Sequence, residues 1–160
     1  MKYFGCIFLF LGITLFSSEH LCKRKRKSEL YSHLLSFLEH VEKALSSSVI
    51  APSRAVLGFK SDILTECGFL TALGEGKSIP IAFESVSVLS YLSGEDKKKL
   101  SDLFGRLISS DYRDMRLRVS MAKEEMQSLS LKENEEMEKT KKIVPALTAA
   151  FAVGFAILVI

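Results

Sequence analysis

Apolar residues recur at steps of three and four through most of this chain, and the breaks in that rhythm divide it into helices. Over residues 28–45 they are Leu30, Tyr31, Leu34, Leu35, Phe37, Leu38, Val41, Ala44 and Leu45, a broad stripe that predicts an amphipathic helix. Ser46, Ser47, Ser48 and Pro52 interrupt it, and a short helical piece is predicted over 53–59. Ser61 and Asp62 open the next helix with an N-cap. Ile63, Leu64, Cys67, Leu70 and Leu73 form its inner side, and Gly74 and Gly76 close it. Ser78, Ile79 and Pro80 make a fresh start for a helix that buries Ala82, Phe83, Val86, Leu89 and Leu92 and stops before Gly94. Ser93-x-x-Asp96 reads as a capping box, with Asp in place of the usual Glu. The helix it opens holds Leu100, Leu103, Phe104, Leu107 and Ile108.

After Ser109, Ser110 and Asp111 comes the longest element. Tyr112, Met115, Val119, Ala122, Met126 and Leu129 alternate steps of three and four, a heptad seam that an intrachain core explains best. Nothing breaks helix from there to Pro145, so residues 132–142 are predicted to form a polar helical stalk. No strand-like alternation or tight hairpin signal occurs. The expected class is all-α, a small cytoplasmic bundle of about six helices.

Both ends of the chain are uncharged and apolar: residues 3–18 (YFGCIFLFLGITLFSS) and 143–160 (IVPALTAAFAVGFAILVI). As helices, their 16 and 18 residues reach ~24 and ~27 Å, against a hydrocarbon core ~30 Å thick. Lys23, Arg24, Lys25, Arg26 and Lys27 follow the first segment, and Lys139, Lys141 and Lys142 precede the second. Basic residues beside a span stay in the cytoplasm. Both collars lie on the inner flanks, so the predicted topology is a two-pass hairpin with both termini outside. Its divisions are a transmembrane anchor over 1–22, a cytoplasmic helical domain with its stalk over 23–142, and a transmembrane helix over 143–160. A cleaved signal peptide fits less well. No small-x-small site follows the first apolar run, and five consecutive cations oppose translocation. Ala146, Ala150 and Gly154 recur every four residues, and Gly5 and Gly12 lie seven apart, spacings that let helices approach closely in lipid.

The net charge of +3 and pI near 8.7 come from those collars. Residues 28–138 hold 13 cations against 18 acids, a net charge of −5, so nucleic-acid binding is not expected. The collars read instead as topology signals that also attract anionic headgroups. Cys6, Cys22 and Cys67 share no metal-ligand spacing, and His33 and His40, seven apart with no carboxylate between them, make no metal site. Gly74-Glu75-Gly76-Lys77-Ser78 looks like the end of a phosphate-binding loop, but Thr71 stands where the first glycine belongs and no strand precedes it. Glu84 and the acids Glu133, Glu135, Glu136 and Glu138 are expected on solvated faces. No nucleophile has a base beside it, so no catalytic residue, metal, cofactor or small-molecule substrate is expected.

With these elements in order, the chain resembles the stage III sporulation protein AB family of endospore-forming bacteria. A short first span, a basic collar, a helical cytoplasmic domain and a last span at the C-terminus carry the likeness over the whole chain. It is strongest in LSGEDKKKLSDLFGRLISSD, from Leu92 to Asp111, which is similar to the family's capped helix followed by Leu-Gly-x-x-Leu-Gly-x-x-Asp. Gly105 and Asp111 match that motif. Ile108 stands where a second glycine is usual, and Met115 where a glutamine often follows. Pro52 falls where the family has a proline after its first helix. The resemblance implies a domain similar to inner-membrane platform proteins of type II secretion and type IV pilus machines. It also implies a place in the mother-cell membrane around the forespore, within a transenvelope channel complex. The implied partners are a secretion-type ATPase like stage III sporulation protein AA and other membrane subunits. The function expected is a non-catalytic scaffold; the alternative is a membrane-anchored sensor or signalling module that dimerises through the heptad helix, Tyr112 to Leu129.

Overall fold

In the computed structural model the backbone is described for residues 2–47, 52–107 and 112–159. Within these, the side chains of residues 2–11, 13–16, 52–53, 87, 112, 151–153 and 155–159 are outside the description. The helices are α1 (Lys2–Ser47), α2 (Pro52–Ala55), α3 (Asp62–Glu66), α4 (Phe69–Gly74), α5 (Ile79–Ser87), α6 (Gly94–Gly105) and α7 (Tyr112–Val159). Among the described residues the fold is all-α. Two compact units divide it: Glu29–Leu131, and the two terminal stretches Met1–Ser28 with Lys132–Ile160.

The central unit is built on one core. From α1 it takes Leu30, Tyr31, Leu34, Phe37, Leu38, Val41 and Leu45, the stripe that helical spacing dictates. α5 packs on α4 and α6, and α3 on α4. Four aromatic rings run through the middle. Phe37 meets Phe69 edge-on at 5.1 Å, Phe69 meets Phe104 at 6.2 Å, and Phe104 stacks on Phe83 at 4.7 Å. Such pairs add to the apolar burial that dominates stability. Tyr31, itself buried, donates its hydroxyl to Asp96 Oδ1 at 3.2 Å, which ties α1 to the start of α6.

The caps lie where local chemistry places them. Leu64 N–H donates to Ser61 Oγ at 3.3 Å. Asp96 N–H donates to Ser93 Oγ at 3.1 Å while Ser93 N–H donates to Asp96 Oδ2 at 3.2 Å, closing the capping box. Gly76 ends α4 at φ +82° in a Schellman turn, with Lys77 N–H on Ala72 O and Gly76 N–H on Leu73 O. The helix expected from Ser61 to Gly74 is two helices. Gly68 adopts φ +81° and separates α3 from α4, which turns Phe69 fully inward. α5 likewise ends at Ser87, so the half-buried Leu89 and buried Leu92 reach the core from the segment after it.

α7 buries Met115, Val119, Ala122 and Met126 in the same core, with Leu129 at its margin. The heptad seam is thus an intrachain contact over these positions. A dimer through that face would need side chains the core already covers. α7 continues through Pro145, which has no N–H for the carbonyl of Lys141.

Candidate functional site

The polar feature that draws two of the first collar's five cations, Arg24 and Lys27, into ion pairs is a neck in the terminal unit, where α1 and α7 run antiparallel. Arg24 Nη1 lies 3.3 Å from Glu133 Oε1 and 3.2 Å from Glu136 Oε2. Lys27 Nζ lies 2.8 Å from Glu133 Oε2. One turn on, Ser28 Oγ donates to Asn134 Oδ1. Glu133 is 7 % exposed, so its two cations neutralise a carboxylate withdrawn from water. The expectation that Glu133 faces solvent is therefore corrected.

The pattern explains why. The core stripe of α1, read backwards through Leu45, Val41, Leu38, Leu34 and Tyr31, arrives at Lys27 and Arg24 in the same steps of four and three. The seam of α7, read forwards from Met126 and Leu129, arrives at Glu133 and Glu136. Charges occupy seam positions on both helices, with opposite signs facing each other. That continuation was readable in the sequence, but only by following the seams past their last apolar residue.

The remaining collar residues are arranged differently. Lys25 and Arg26 are exposed, and Lys23 pairs with Glu19 one turn earlier at 2.7 Å. On the α7 side, Lys139 and Lys142 are exposed. Lys141 lies 2.8 Å from Glu138, and its hydrogen bond holds the Glu138 carboxyl below the ordinary carboxylate value. Gly12, Ala146, Ala150 and Gly154 are exposed, and a Cβ built on Gly12 or Gly154 would meet nothing within 4 Å. Gly5 lies in α1, and its packing is outside the described residues. Gly105 is the last residue of α6, with open space beside it; Asp111 and Ile108 are outside the described residues.

The histidines hold the α2–α3 connection. His33 Nδ1 lies 3.0 Å from Ser61 Oγ, and His40 Nε2 lies 3.3 Å from Leu57 O while its ring tilts against Phe59. Ser61 Oγ already caps α3 and is buried, so the Ser61–His33 pair is a strap between helices. Lys77 pairs with Glu75 at the Schellman turn, where no strand leads into a phosphate loop. Cys67 is half-buried, and burial pushes its thiol above the ordinary value. Among the described residues no group of three His, Cys, Asp or Glu side chains forms a metal-binding cluster.

Among the described residues, no helix is long and apolar enough to cross a membrane. Most side chains of the two terminal apolar segments lie outside those residues. Comparison with protein-family models, curated proteins and solved structures found no match for this chain.

Proposed function

We propose that the chain is a non-catalytic membrane scaffold. Its two apolar ends anchor the central helical unit to one membrane, and that unit couples a cytoplasmic secretion-type ATPase to membrane partners, as the resemblance to stage III sporulation protein AB implies. The single observation that carries this function is the neck. α1 leads back from Arg24 towards the first apolar segment, and α7 leads forward from Glu136 towards the last. Antiparallel pairing there sends both apolar segments away from the neck on the same side, as a two-anchor hairpin requires. The exposed cations Lys25, Arg26, Lys139 and Lys142 add the positive charge that keeps such a neck on the cytoplasmic face.

Cysteine labelling in intact cells tests the topology. In a background with Cys6, Cys22 and Cys67 changed to Ser, Lys2→Cys and Ile160→Cys should react with a membrane-impermeant maleimide. Gly76→Cys should react only after permeabilisation. Labelling of Gly76→Cys in intact cells overturns the two-anchor function. The purified full chain should bind a cognate secretion-type ATPase and show no ATP turnover alone; intrinsic turnover overturns the scaffold.

A further inference from the structure

The side of α7 turned away from the core carries Leu117, Met121 and Leu131, exposed at 61, 63 and 59 %. With ~100° of turn per residue, all three fall within about 40° of one line along the helix. Leu103 and Arg106, at the end of α6, wall the first two into an open groove of about 550 Å³. Its rims are fixed by exposed ion pairs, Arg106 with Glu125 at 3.3 Å and Arg118 with Asp114 at 2.8 Å. Solvated pairs of this kind contribute little and yield readily to a better partner.

The charge order along this face is directional. Arg113, Arg116 and Arg118, with one acid, Asp114, among them, precede Met121, whereas Glu124 and Glu125, with Arg106 beside them, follow it, so the start is net positive and the end net negative. A helix is itself polar, with acidic residues favoured in its first turn and basic ones in its last. Laid parallel to α7, such a helix sets its acidic start on the arginines and its basic end on the glutamates. We propose that this groove docks one amphipathic helix of a partner protein, parallel to α7, acidic at its N-terminal end and basic at its C-terminal end. Its apolar stripe covers Leu117 and Met121.

A second copy fits poorly. Parallel α7 helices would set arginine on arginine and Glu124 on Glu124. Antiparallel ones would match charges, but their chains would head for opposite membrane faces. That last exclusion rests on the two-anchor function, whereas the charge order does not.

The test uses the full chain in phosphatidylcholine nanodiscs, with empty discs as control, and two fluorescent synthetic helices of equal composition. One carries glutamates in its first two turns and lysines in its last two, with leucines every third or fourth position; the other has the charge order reversed. The first should bind, and the second at least about tenfold more weakly. Leu117→Glu with Met121→Glu should cost the first peptide about tenfold or more in affinity. Because both positions face water, the circular dichroism spectrum should be unchanged. Glu124→Lys should narrow the gap between the peptides. Equal affinities, no binding of either, or disulfide crosslinking of copies through Leu117→Cys overturns the docking groove. Labelling of the chain ends reads the anchors separately, so the two failures are distinguishable.

Discussion

Gly68 and Gly105 separate two reasons for a glycine. Gly68 adopts φ +81°, a conformation that strains any Cβ, and a Cβ there would also meet Ser85 Cβ at 3.6 Å. Gly68→Ala should cost about 1 kcal/mol and lower Tm by about 4–8 °C, read by thermal circular dichroism. Gly105 ends α6 without a positive φ and with nothing within 4 Å of the built Cβ. Gly105→Ala should leave Tm unchanged or raise it, since alanine favours helix by up to ~1 kcal/mol. If that variant nevertheless loses binding to the secretion-type ATPase proposed as its partner, the glycine serves contact rather than folding. Local chemistry made the caps at Ser61 and Ser93 legible in the sequence, because each depends on residues three apart. Gly68 was not legible as a break. A glycine inside a helical stripe is tolerated, and its φ is set by the need to bring Phe69 against Phe37 and Phe104.

Between elements, long stripes were easier to read than short ones. α1 and α7 present enough turns for spacing to name their buried faces, whereas α3, α4 and α5 are too short for periodicity to find their ends. Where the facing helix decides burial, spacing along one helix misplaces a charge, as at Glu133, which is expected in solvent and is buried. Lys123 crosses from α7 to Glu42 of α1 at 2.6 Å. The hydrogen bond to Glu42 is the main cause holding the Lys123 ammonium above its ordinary value of 10.5. A raised lysine stabilises the fold fully below the ordinary value, and the contribution disappears as pH rises through the higher, folded one. Wild type should therefore lose Tm above about pH 10.5 more steeply than Lys123→Met, with the two converging at the alkaline end. Parallel curves across that window would mean the bridge carries no coupling.

At the scale of the whole molecule, the five collar cations read as one basic run but fall into two groups, those in the neck ion pairs and those in exposed positions. Lys23, Arg24, Lys25, Arg26 and Lys27 look equivalent as a basic run, and net charge beside an apolar segment is all that orientation requires. Folding distinguishes them, because helical spacing turns Arg24 and Lys27 towards α7 and leaves Lys25 and Arg26 in water. Glu133 depends on the first pair: with Lys27 and Arg24 removed, a buried carboxylate loses its partners at a cost of about 1–3 kcal/mol or more. Arg24→Gln with Lys27→Gln should therefore lower Tm of the purified chain, and adding Glu133→Gln should recover part of the loss because no orphaned charge remains. Lys25→Gln with Arg26→Gln removes the same formal charge from exposed positions, so Tm should change by less than about 0.5 kcal/mol equivalent. Orientation is the other readout. Under the proposed two-anchor hairpin each double variant removes two cations from the flank of the first segment, so both should raise the fraction of chains whose Lys2→Cys end escapes outside labelling, and to a similar extent. Equal thermal losses in the two variants would place the neck ion pairs outside the fold's stability. Unequal orientation with equal stability would mean that position in the collar, rather than contact with Glu133, distinguishes these cations.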